Sequence, residues 1–83
     1  MDTKTASTEL HDLTVAVNDA RLEIHALNKD ALLRKLAVKA ENAGEYALSG
    51  ALWRLAHDET TTADQARIAL RTHGARLAAK LTA

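Results

Sequence analysis

A glycine set between two helical patterns constrains this chain more than any other feature. From Ala40 to Ala56 it reads AENAGEYALSGALWRLA, with Gly44 followed by Tyr46, Ser49, Trp53 and Ala56. From Tyr46 the steps are three, four and three, which puts these four residues on one helix face. The only tyrosine and the only tryptophan of the chain both lie here. Gly44 suits the left-handed position just beyond a helix end. The segment therefore predicts a helical hairpin, with helices over about 31–43 and 45–57. Tyr46, Ser49, Gly50, Trp53 and Ala56 are expected to point inward, beside a second stripe of Leu48, Leu52 and Leu55. Gly50, inside the second helix, costs about 1 kcal/mol relative to alanine. Close approach of another helix backbone is the expected reason.

Composition agrees with an all-α fold. The 83 residues include no proline, no cysteine and 3 glycines, which favours helices and offers little turn chemistry for a sheet. The length predicts one helical domain over 1–83. Without cysteine there are neither disulfides nor thiolate metal sites, and a reducing compartment is compatible. No apolar run approaches the roughly 20 residues that span a bilayer. The first residues, MDTKTASTE, lack the basic-then-apolar order of a signal peptide. A cytoplasmic protein is the expectation.

On either side of the hairpin, further helices are legible. Residues 1–6 are polar and expected to fray, and Ser7 or Thr8 can cap a first helix. Leu10, Leu13, Val17, Ala20, Ile24 and Leu27 then recur at alternating steps of three and four. So narrow a seam is read either as an intramolecular core face or as the interface of a homodimer. Asp30 is placed to cap the hairpin's first helix, whose apolar face is Leu33, Leu36, Ala37 and Ala40, and to pair with Arg34. After a polar connection, Thr62 and Gln65 match a capping box. Ala63, Ala66, Leu70, Leu77 and Leu81 then mark a last helix, expected to continue through Gly74. The predicted architecture is a small bundle of three to four helices, and a homodimer is the expected assembly. Its core is predicted to contain Leu33, Leu36, Ala40, Tyr46, Ser49, Trp53, Ala56, Leu70 and Leu77.

Charge narrows the function. There are 11 basic and 11 acidic residues, a balance that argues against simple electrostatic capture of nucleic acid. The charges are nevertheless segregated. No acid follows Asp64, whereas Arg67, Arg71, Arg76 and Lys80 do, and Arg34, Lys35 and Lys39 form a second basic group. These seven are the candidate contacts for a partner or a nucleic acid. At about 100° per residue, Arg67 and Arg71 point one way and Arg76 and Lys80 the other, with the apolar stripe between them. Long cations at the rim of a buried face have this arrangement, and a single phosphate-binding stripe does not. The four histidines (His11, His25, His57, His73) include no pair three or four apart, so no helical metal pair exists. No nucleotide-binding, zinc or calcium motif occurs. Neither a catalytic residue nor a cofactor is expected, and the chain reads as non-enzymatic.

The hairpin segment also resembles the central signature of small bacterial regulators, the AraC-negative-regulator (ANR) and PerC-like proteins. The matching residues are Ala40, Glu41, Gly44, Tyr46, Ser49, Trp53 and Ala56. Ala66-Arg67-Ile68-Ala69-Leu70-Arg71 is similar to the arginine-containing helix that follows in PerC-like sequences. The resemblance covers about Leu32 to Leu77. Ser49 stands where the family usually has alanine, and the family's frequent cysteine and second tryptophan are missing. The same segment is similar to half of a tetratricopeptide repeat. The ANR-like resemblance implies a small cytoplasmic regulator, often carried on mobile elements, that binds another transcription factor or a nucleoid protein. Two other readings accompany it. One is a phage or plasmid inhibitor of a defence complex, of anti-CRISPR or anti-restriction type. The other is direct DNA binding through the basic C-terminal helix.

Overall fold

A computed structural model describes the backbone of residues 3–82 and the side chains of residues 8–82. Four helices follow one another: α1 (Thr3–Glu23), α2 (Lys29–Asn42), α3 (Tyr46–His57) and α4 (Ala63–Thr82), with no strand among the described residues. They form an elongated all-α bundle of 39 × 18 × 16 Å. α2 packs along α3 and α1 along α4, and α1 also touches α2.

Each connection is held by its own hydrogen bonds. Between α1 and α2, the Asn28 side chain accepts from the His25 N–H at 2.7 Å and donates to the Glu23 carbonyl at 3.1 Å. It thereby satisfies one of the carbonyls left over at the α1 terminus. Asn28, not Asp30, is the residue before α2, and its side chain is occupied by α1 rather than capping α2. Asp30 falls in the first turn of α2, where its charge suits the helix dipole. It pairs with Lys29 at 3.0 Å rather than with Arg34.

At the α2–α3 corner, Gly44 adopts φ +80°. The Glu45 N–H bonds to the Ala40 carbonyl (2.9 Å) and the Gly44 N–H to the Glu41 carbonyl (3.0 Å). This pair of bonds is the Schellman C-cap that the glycine predicts. Before α4, Thr62 and Gln65 form the reciprocal capping box. The Thr62 N–H donates to Gln65 Oε1 (2.9 Å) and the Gln65 N–H to Thr62 Oγ1 (3.1 Å).

Leu13, Val17, Ala20 and Ile24 of the α1 seam are buried within the chain's own core. Leu10 packs partly against that core, and Leu27, beyond the helix, is 95% exposed. Leu13, Val17, Ala20 and Ile24 therefore form an intramolecular core face. Ser7 and Thr8 lie inside α1, which begins at Thr3. Of the segment expected to fray, Thr3–Ala6 belongs to the helix, while Met1 and Asp2 lie outside the described residues.

The buried face of α3 is Leu48, Ser49, Leu52 and Ala56. Tyr46, expected inward, is exposed, and Trp53 is only half-buried, stacked on His57 with ring centroids 5.8 Å apart. The buried face thus combines Ser49 and Ala56 of the expected stripe with Leu48 and Leu52 of the second, while Leu55 is half-buried and the tyrosine hydroxyl stays in water. Gly50 is approached by no helix. A Cβ there would meet only Arg54 Nη1, at 3.9 Å. The close approach belongs to Gly74, which is buried against Asn18 and Val17 of α1 inside an uninterrupted α4.

Candidate functional site

The cations that the sequence singles out do not form one surface, because α4 carries them on two flanks and α2 carries others toward α1. Arg67 lies at the amino-terminal end of α4, opposite the carboxy-terminal end of α1. Its Nη2 donates to the Ile24 carbonyl at 2.9 Å, and its Nη1 pairs with Asp64. Arg67 therefore closes off α1 and is not a free cation. Lys80, at the far end of α4, pairs with Glu45 at 2.6 Å and ties α4 to the start of α3. Lys35 and Lys39 share a shallow groove with Asp19 and Glu23 of α1, so acids of the same chain offset their charge. Arg34, Arg71 and Arg76 are exposed.

On the α1–α4 face, Arg21, Leu22, Arg67, Ile68 and Arg71 line one depression. Leu22 is 76% exposed and Ile68 66%. Two large, exposed aliphatic side chains thus line one depression together with three guanidinium groups. Neither was among the residues singled out from the sequence. The available signal was negative: Leu22 falls outside the α1 seam and Ile68 outside the α4 stripe, so neither has a place in a core that those patterns already fill.

On the opposite flank, α3 and α4 enclose a groove lined by Glu45, Ala47, Leu48, Ala51, Arg54, His73, Arg76, Leu77 and Lys80. Arg54 and His73 join the predicted Arg76 and Lys80 there. Burial, and secondarily the Arg76 charge, hold the His73 imidazole below the ordinary value of 6.5. At the connection that closes the groove, the Asp58 carboxylate accepts from both the Thr60 hydroxyl (2.6 Å) and the Thr60 N–H (2.9 Å). These bonds lower its pKa.

Among the described residues no group of His, Cys, Asp or Glu could hold a metal ion, and no helix is long and apolar enough to cross a membrane. Every buried side-chain nitrogen and oxygen there has a hydrogen-bond partner. What the surface offers is apolar side chains bordered by arginines and a cation-lined groove, both suited to binding. Comparison with protein-family models, curated proteins and solved structures returns no match.

Proposed function

We propose that this protein is a non-enzymatic, cytoplasmic regulator that works by protein–protein contact, modulating a transcription factor or a nucleoid protein. The observation that carries this reading is the Leu22–Ile68 pair. Both side chains are largely exposed, they line one depression, and Arg21, Arg67 and Arg71 surround them. Exposed aliphatic area bordered by arginine is characteristic of the centre and rim of a protein interface. Like charges would face each other if this surface met its own copy across a two-fold axis, so its chemistry favours an acidic, apolar partner surface.

The balanced net charge and the resemblance of the Ala40–Ala56 segment to ANR and PerC-like regulators support the same reading. Direct DNA binding is less favoured. Arg67 and Lys80 are engaged within the chain, and Arg71 and Arg76 lie on different flanks of α4.

The test is affinity capture from the native host with the wild-type protein and with Leu22→Glu/Ile68→Glu. The expected result is recovery of a transcription or nucleoid factor that the double variant loses while keeping its helical circular dichroism. Equal recovery by both proteins, or no such factor with either, overturns the reading. Protection of an invading phage or plasmid in an interference assay would assign the protein to defence inhibition instead.

A further inference from the structure

The α3–α4 groove lies on the other flank of α4 and is independent of the Leu22–Ile68 surface. Its two ends are fixed. Lys80 and Glu45 close one, and the short connection with its Asp58 turn and capping box closes the other. Between these ties Ala47, Ala51 and Ala69 line the space, and their side chains are too short to fill it. The opening measures about 300 Å³ toward Glu45 and about 290 Å³ toward Asp58, and the two parts share Ala51, Arg54 and His73. The two parts follow one another along α3, whose 12 residues correspond to roughly 18 Å.

Its chemistry is specific. Ala47 and Ala51 supply its accessible apolar surface, backed by Leu48 and Leu77, which are buried in the core. Arg54 and Arg76 border it, and neither has an ion-pair partner among the described residues. Of the acids at the groove, Glu45 is paired with Lys80, and Asp58, hydrogen-bonded to Thr60 and still charged, lies only at the far end. An apolar lining bordered by two guanidiniums without ion pairs is complementary to an apolar ridge flanked by carboxylates. Arginine also binds carboxylate bidentately. A nucleic-acid backbone would match the guanidiniums and leave the floor unfilled.

We propose that the α3–α4 groove docks an acidic amphipathic helix of a partner protein. The apolar ridge of that helix sits on Ala47 and Ala51, over the buried Leu48 and Leu77, and its carboxylates engage Arg54 and Arg76. This is the helix-in-groove mode of recognition, read by side chains at i, i+3, i+4 and i+7.

The probe is a synthetic capped peptide of about 16 residues, long enough to cover the groove at 1.5 Å per residue. It carries Leu and Ala on one face and Glu beside them. Its twin has Lys in place of every Glu, and a DNA duplex of mixed sequence is the third arm. Binding to the full-length, isotope-labelled protein is followed by amide chemical shifts.

The expected result is that the Glu peptide shifts the amides of Ala47, Ala51, His73 and Leu77 and leaves Leu22 and Ile68 unmoved. The Lys peptide should bind about tenfold more weakly or not at all. Arg54→Gln/Arg76→Gln should abolish the shifts without changing the thermal melt. No shifts with the Glu peptide, shifts mapping elsewhere, equal binding of the Lys peptide, or preferential DNA binding at these residues overturns the proposal. None of these outcomes touches the Leu22–Ile68 surface, so the two readings fail separately.

Discussion

Ser49 donates a hydrogen bond from Oγ to the Ala37 carbonyl at 2.8 Å, across the buried contact between α3 and α2. A serine mid-helix ordinarily hydrogen-bonds its own backbone; here it joins two helices. Ala37 is fully buried and Ser49 nearly so. The hydroxyl therefore has its partner, and the small side chain lets the helices approach.

Two substitutions separate these roles. Ser49→Ala removes a bond worth about 1 kcal/mol and regains roughly half of that in helix propensity. It should lower stability only slightly in a urea titration followed by circular dichroism. Ser49→Leu overfills the contact and should cost about 1–3 kcal/mol. If Ser49→Ala proves the more damaging, the hydrogen bond outweighs the packing.

Arg67 and Arg71 look alike in sequence, one helical turn apart, but differ in what they hold. Arg67 covers the Ile24 carbonyl and pairs with Asp64, whereas Arg71 is exposed. Arg67→Ala uncovers a part-buried carbonyl at the α1 terminus and should cost about 1–2 kcal/mol. Arg71→Ala should stay within about 0.5 kcal/mol. Equal unfolding midpoints for the two variants would mean that the Arg67 tie contributes nothing measurable.

Much of the fold is legible in the residues themselves, because local rules and packing agree. Gly44 at a helix end, Thr62 with Gln65 at a helix start, and leucines spaced three and four apart each have one low-energy solution, and the structure adopts it. The errors fall where two solutions compete. On α3 the buried face falls between the two stripes, taking Ser49 and Ala56 from one and Leu48 and Leu52 from the other, and only the position of the other helices sets that angle. Gly50 and Gly74 are equivalent as letters, yet only Gly74 faces another helix. The α1 seam could equally have been covered by a second copy, and α4 and α2 cover it instead.

The candidate surfaces were less visible for the same reason. Arg54 and His73 come from different helices and line one groove only because α3 and α4 border it from opposite sides. Periodicity within one helix carries no such information.

His73 links the groove to pH. Burial, and next the Arg76 charge, hold its pKa below 6.5 in the folded protein. The unfolded chain therefore takes up the proton first as pH falls. The contribution to stability is fully present above 6.5 and is lost as pH drops from 6.5 through the folded value. Thermal melts should accordingly fall over that interval, less so in His73→Gln. In an imidazole NMR titration, Arg76→Ala should raise the His73 midpoint without restoring 6.5, since burial is the larger cause. A wild-type midpoint at or above 6.5 would contradict this account.

The two helical glycines give the sharpest test of the packing. Replacing either by alanine gains up to about 1 kcal/mol of helix propensity. At Gly50 a Cβ meets only Arg54 Nη1 at 3.9 Å, so Gly50→Ala should stabilise by nearly that amount. At Gly74 a Cβ would stand 2.8 Å from Asn18 Oδ1 and an ordinary 3.6 Å from Val17 Cγ1. The amide must rotate away, which offsets the gain, and Gly74→Ala should be neutral or slightly destabilising. The obstruction is a single side-chain oxygen, so it vanishes in an Asn18→Ala background, where Gly74→Ala should recover the stabilisation seen at Gly50. A double-mutant cycle over Asn18 and Gly74 measured by urea unfolding should therefore show a coupling of about 0.5–1 kcal/mol. Simple additivity would show that α1 and α4 approach less closely at this crossing than the structure places them.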